Sequence, residues 1–175
     1  VKIKVAFYKG HGGWKNKLIR WWTKNPYSHA ELVLPDEITW VSISPLLTSK
    51  VQTRTKKEYN KESWDFVELQ ITEEQFVTIM EFYEFTKGSS YDWVGMIFSQ
   101  FLPYTIKRQG KWYCSEWIAY ALRISNIIDW KIIKIYDRHD LSPGVLHQIL
   151  LQQMCLLATQ KEKEKKDEFL IDISV

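Results

Sequence analysis

Trp112-Tyr113-Cys114-Ser115-Glu116-Trp117-Ile118-Ala119-Tyr120-Ala121-Leu122-Arg123 decides how the chain is read. Trp117, Ala121 and Ile124 recur on one face at helical spacing, with Ile118 and Leu122 beside them. The stretch is expected to be a helix whose first turn carries a cysteine, and Gly110 just upstream marks a break before it. A thiol in that position faces unpaired N–H groups and the positive end of the helix, and both favour the reactive thiolate. The competing reading is a small buried hydrophobe, the commonest fate of a free cysteine.

The chain of 175 residues is long enough for one domain with a full core. Nine Trp, nine Tyr and eight Phe fill such a core or line a groove for an extended or ringed substrate. A net charge of +3, from 24 basic and 21 acidic residues, is too balanced to argue nucleic-acid binding. The two cysteines, Cys114 and Cys155, show no disulfide-framework spacing. With no secretory apolar region, that usage points to a reducing compartment. No apolar run reaches the roughly 18 residues of a transmembrane helix. The chain opens on Val1 and not on Met, which leaves open whether residues precede it.

Outward from the cysteine stretch, the sequence divides into short strands and helices. Val1, Ile3, Val5 and Phe7 alternate with Lys2, Lys4 and Ala6 as a half-buried strand. Gly10-His11-Gly12-Gly13 is a loop, and Trp14 to Lys24 reads as a short basic helix stopped by Asn25-Pro26. Ser28 to Leu34 and Ile38 to Ile43 form a hairpin around Pro35-Asp36-Glu37. Val51 to Thr55 and Trp64 to Leu69 are further strands, separated by a charged loop from Lys56 to Lys61. Thr72-Glu73-Glu74-Gln75 is a capping box that opens a helix to about Lys87, ended by Gly88. A helix from about Tyr91 to Phe101 follows, then a basic loop to Gly110. Trp130 to Tyr136 is a strand or connector. Leu141-Ser142-Pro143-Gly144 opens a last helix to about Thr159. Its apolar cover is broad, and Leu151, Cys155 and Leu156 are expected to be buried, with self-association as the alternative. The domain is expected to span 1–159, followed by a charged tail over 160–175 whose terminal Phe169 to Val175 is apolar enough for a strand or docking segment.

A thiolate nucleophile needs a base, and the histidines are His11, His29, His139 and His147. His29 opens a strand, and alternation puts His29 and Glu31 on one face, Ala30 and Leu32 on the other. A polar pair on an apolar strand suits a cleft wall, although an exposed strand face needs no such explanation. His139 lies in a polar loop, His147 on the polar side of a helix, and His11 between glycines.

Four segments, in this order, resemble the circularly permuted branch of the NlpC/P60 papain-like superfamily, the YiiX/YebB-like branch. They are Tyr27-Ser28-His29-Ala30-Glu31-Leu32-Val33, Tyr91-Asp92-Trp93, Trp112-Tyr113-Cys114-Ser115-Glu116-Trp117, and Leu141-Ser142-Pro143-Gly144-Val145-Leu146. Ordinary members place the cysteine before the histidine; here the histidine comes first, as in the permuted group. The lead-in Leu18-Ile19-Arg20-Trp21-Trp22-Thr23 is similar to bacteriophage-encoded members. The resemblance covers roughly residues 1–146.

The resemblance implies an α+β, papain-like fold, in which a helix with the cysteine at its N-terminus packs on an antiparallel sheet carrying the histidine. It implies Cys114 as nucleophile and His29 as general base. The family orients the imidazole with a third polar group. Glu31 shares the His29 face, but two positions along a strand is a long reach to the ring. The next strand, Thr39-Trp40-Val41-Ser42-Ile43-Ser44, has no carboxylate, so Ser42 and Ser44 are the alternates. Oxyanion donors are the backbone N–H of Cys114 and, by analogy with family tyrosines, the phenol of Tyr91. Asp92 reads as a helix N-terminal charge and Glu116 as structural.

The function this implies is a cysteine hydrolase cleaving an amide or ester, with peptidoglycan stem peptides as the superfamily's default substrate and lipid acyl hydrolysis or transfer open. A phage context implies host cytoplasm or virion. The alternatives are a binding or structural module for a virion, cell-wall or membrane surface, built on the aromatic and basic segment Trp14 to Lys24, and a host-directed peptidase. No cofactor is expected: Cys-x-x-Cys and His-Glu-x-x-His metal spacings are missing, and Gly10-His11-Gly12-Gly13 lacks the Lys-Ser/Thr of a phosphate loop.

Overall fold

The structure is a computed structural model and describes residues 1–10, 13, 17, 20, 21, 24–44, 49–92, 111–129, 131 and 141–173. Strands β1 (Lys2–Tyr8), β2 (His29–Val33), β3 (Thr39–Ile43), β4 (Val51–Thr55) and β5 (Trp64–Gln70) form an antiparallel sheet in the order β4-β3-β2-β1-β5. Helix α1 (Glu73–Thr86) follows, then a short parallel pair, β6 (Ser90–Tyr91) with β7 (Lys111–Trp112). Helix α2 (Cys114–Ile124) starts two residues beyond β7, and α3 (Pro143–Ile173) ends the described chain. The chain is thus α+β, an antiparallel sheet with helices.

The period-two pattern of the strands decides which face they bury. Ile3, Val5 and Phe7 of β1, Ala30 and Leu32 of β2, and Val67 and Leu69 of β5 pack against Ile79, Phe82 and Tyr83 of α1, Trp117, Ile118, Ala121 and Leu122 of α2, and Leu146, Ile149 and Leu150 of α3. The opposite face is covered too. Ala6, Val33 and Trp40 bury there under Tyr59, from the segment between β4 and β5, and Trp64, the first residue of β5. The ends of α1 follow local chemistry. Thr72 and Gln75 make the reciprocal capping box, and Gly88 takes the left-handed φ of +80° that lets the chain turn away.

Two expectations are corrected at the C-terminus. The helix does not stop near Thr159; α3 continues through the charge run to Ile173, and no strand forms from Phe169. Alternating Lys and Glu are good helix formers with nothing in the run to break them. Leu151, Cys155 and Leu156 are exposed, not buried, because among the described residues it is the first turns of α3, with Leu146, Ile149 and Leu150, that pack into the core. Most of the helix expected over Trp14 to Lys24, residues 93–101 of the helix expected from Tyr91, the basic loop to Gly110 and most of Trp130 to Tyr136 lie outside the described residues; Tyr91 itself, expected to open a helix, lies in β6 because it pairs with Trp112. Among the described residues no helix is long and apolar enough to cross a membrane.

Candidate active site

Cys114 is the first residue of α2, buried where that helix meets β2. Tyr113 at the N-cap is extended and provides no capping oxygen, so the orphan N–H groups of the first turn remain available. The N–H of Ser115 and that of Ala30, on β2, both point at the sulfur. Two side chains fix the helix that carries it. The buried hydroxyl of Ser115 donates to the carbonyl of Leu141, tying α2 to the entry of α3. The indole of Trp117 donates to Thr86 Oγ1 at 2.9 Å, tying it to α1.

His29 opens β2 opposite Tyr8 of β1. Its ring makes a side-chain hydrogen bond with the Cys114 thiol. Its Nε2 lies 3.1 Å from Glu31 Oε1. An ionised carboxylate only accepts, so Nε2 carries a proton and Nδ1 is left to face the sulfur. The long reach expected between His29 and Glu31 is bridged directly. Side chains at i and i+2 on a strand share a face, and the Glu stem and imidazole span the gap together.

Glu31 is only 2% exposed, and its two oxygens are fully engaged. Oε1 also accepts from Ser42 Oγ at 2.9 Å, and Oε2 accepts from the ammonium of Lys56. Ser42 therefore holds the carboxylate that holds the ring, one step further out than expected of it. Ser44 is buried at the end of β3, where its carbonyl accepts from Ser49 N–H. The β2–β3 ladder runs through Val33↔Trp40 and Leu32↔Val41. One step nearer the site, the strands are joined instead by the Glu31–Ser42 side-chain bond.

These contacts set the protonation states. Burial works against a charge on His29, but the Cys114 thiolate and then Glu31 outweigh it and lift the imidazole to about 10. Burial likewise pushes the Cys114 thiol up, while the His29 imidazolium and the two backbone N–H groups bring it below the ordinary 9.0. Burial raises Glu31, but His29 and Lys56 together hold it down at about 2. The shifts of Cys114 and His29 both favour the thiolate–imidazolium form of the pair, with Glu31 behind it as a carboxylate.

Tyr91 is buried beside this pair, paired in register with Trp112. Burial, followed by the negative charge of Cys114, raises its phenol well above the ordinary 10, so it stays a neutral O–H donor. Asp92 is buried next to it, and its N–H donates to the Trp112 carbonyl, which closes the β6–β7 pair.

Lys56 carries no signal of its own in the sequence, where it heads a charged loop. The buried Glu31 is the clue, since a carboxylate without water needs a cation. His147 is corrected: it faces inward, edge-on to Phe7 with centroids 4.9 Å apart and 4.7 Å from the Tyr27 ring. It belongs to a separate cluster in which Tyr27 Oη donates to Asp65 at 2.8 Å. His11 and His139 lie outside the described residues. Among the described residues no group of three or more His, Cys, Asp or Glu is placed to hold a metal ion.

The chain matches no protein-family model, no curated protein and no solved structure. The functional reading rests on the geometry at Cys114.

Proposed function

We propose that the chain is a cysteine hydrolase of the permuted NlpC/P60, papain-like kind, cleaving an amide or ester. The observation that carries this is Cys114 at an uncapped helix start, hydrogen-bonded to an imidazole that Glu31 fixes from behind. The His29-before-Cys114 order and a helix N-terminus set against a histidine strand support the same reading.

In this reading the Cys114 thiolate attacks the substrate carbonyl carbon, and the carbonyl π pair moves onto oxygen. Backbone N–H groups at the start of α2 and the Tyr91 phenol donate to that oxyanion. Collapse of the tetrahedral adduct breaks the bond to the leaving nitrogen or oxygen, which takes the Nδ1 proton of His29. Water then gives a proton to Nδ1 and attacks the thioester, releasing the acid and restoring the thiolate–imidazolium pair. Glu31 keeps the ring in place and its Nε2 protonated throughout. Peptidoglycan stem peptides are the first substrate class to test, in a phage context, with acyl esters second.

The test is turnover of purified sacculi and of a p-nitrophenyl acyl ester, with intact-mass detection of an acyl adduct. Cys114→Ala and His29→Ala are expected to lose turnover, and Cys114→Ala the adduct, while circular dichroism is unchanged. Full activity in either variant contradicts the mechanism. Trp21, 71% exposed in the basic segment, keeps a surface-binding module as the second reading. That reading predicts binding to sacculi or vesicles that survives Cys114→Ala with no turnover in the parent chain.

A further inference from the structure

Lys56 takes no part in the steps above, yet it is half-buried against them. It follows β4 directly, and its ammonium contacts Glu31 Oε2. The same ammonium lies 4.2 Å from the centroid of Trp40 and 4.4 Å from that of Trp64. Two indole faces and a buried carboxylate therefore surround a cation whose side chain is 15% exposed. Each supplies part of what water would give a free ammonium. A lysine serving only solubility gains nothing from such a place.

We propose that Lys56 is the charge-balancing positioning residue of the site: its ammonium makes the thiolate–imidazolium form of Cys114 and His29 electrically neutral as a buried group. With Lys56 present, the negative Cys114 and Glu31 are matched by the positive His29 and Lys56. Without it, the same form carries a net negative charge in a poorly solvated place, and the neutral thiol becomes the favoured state. Asp92, Glu116 and Tyr113 lie around Tyr91, and their charge, like that of Cys114, opposes ionisation of its phenol. On the far side Arg54 is the other charge facing Lys56, and it opposes the Lys56 ammonium without touching Glu31's occupied oxygens. Trp40 and Trp64 hold the ammonium on Oε2, which leaves Oε1 to His29 and Ser42.

The proposal rests on the Cys114–His29 reading, and its test needs no substrate. With Cys155→Ser, so that Cys114 is the reacting thiol, the rate of iodoacetamide alkylation is followed against pH. Lys56→Met is expected to raise the midpoint by about one unit, roughly a tenfold loss of rate at pH values below both midpoints. Lys56→Arg, which keeps the charge, is expected to bring the midpoint back toward the parent value. An unchanged midpoint in folded Lys56→Met overturns the proposal. Should that variant fail to fold, Lys56→Met is compared with its parent on a Glu31→Gln background, where no carboxylate is stranded. A higher midpoint in the double variant supports the proposal and coincident midpoints overturn it. A parent chain whose Cys114 reacts like an ordinary thiol counts instead against the hydrolase reading.

Discussion

Glu31 Oε1 meets His29 Nε2 at 3.1 Å across two positions of one strand. That contact makes the orienting group and the base neighbours in sequence as well as in space. It also makes the imidazole depend on how β2 is held: by β1 through the Tyr8↔His29 pair, and by β3 through Ser42. A shift of β2 by one residue would turn His29 and Glu31 to the helix-packed face.

Acid stability reports on Glu31. Its folded value of about 2 lies below the ordinary 4.5, so it contributes stability that is present above 4.5 and lost as the pH falls toward 2. The size is about 3 kcal/mol from a shift of that length. Urea titrations between pH 2 and pH 6 are expected to show stability rising with pH through this window. Glu31→Gln is expected to flatten the rise and to lower stability at neutral pH by roughly 3 kcal/mol, because it leaves a half-buried ammonium without its partner. An unaltered slope in the variant would place the acid-sensitive group elsewhere.

The entry to α3 is a close-approach site. A Cβ on Gly144 would run into the Asn25 side chain, whose Oδ1 accepts the Tyr27 N–H at 3.2 Å. Gly144→Ala therefore displaces the Asn25 side chain and costs it the Tyr27 N–H bond, a loss of about 1 kcal/mol. The melting temperature of Gly144→Ala is expected to fall. Adding Asn25→Ala is expected to recover part of the loss, and strictly additive effects would mean that the two side chains do not meet.

Tyr91→Phe separates an oxyanion donor from a packing tyrosine. It keeps the ring in its buried place and removes the O–H. Turnover is expected to drop by about tenfold to a hundredfold, in kcat and not in KM. The alkylation midpoint of Cys114 should barely move, since the phenol is neutral in the parent. Unchanged kcat would assign Tyr91 to packing.

Much of this arrangement was legible in the sequence because it depends on local chemistry. Ile3, Val5 and Phe7 show the period of β1, Thr72 and Gln75 show their capping box, and the Cys114 stretch shows a helix with a thiol at its start. The His29–Glu31 face followed from strand alternation, though the direct contact did not, since it depends on side-chain reach. Lys56 and His147 were not legible for a different reason. A lysine after a strand looks solvated until Trp40 and Trp64, from two other strands, are folded over it. A histidine on the polar side of a helix looks solvated until Phe7 of β1 and Tyr27, just before β2, pack against its ring. The exposed stretch of α3 failed in the opposite sense: Leu151 and Leu156 are apolar, but none of the described residues buries them.

The most direct measurement is the pH dependence of Cys114 alkylation in the Cys155→Ser chain, with and without His29→Ala. His29 stays protonated up to about 10 and its charge draws the Cys114 thiol below 9.0, so the ion pair, once formed, breaks down only as the pH rises through the His29 value. The account predicts rapid alkylation at pH 7 with a midpoint below 9.0, and a higher midpoint with much slower neutral reaction in His29→Ala. A parent midpoint at or above 9.0, or one that His29→Ala leaves in place, would contradict it.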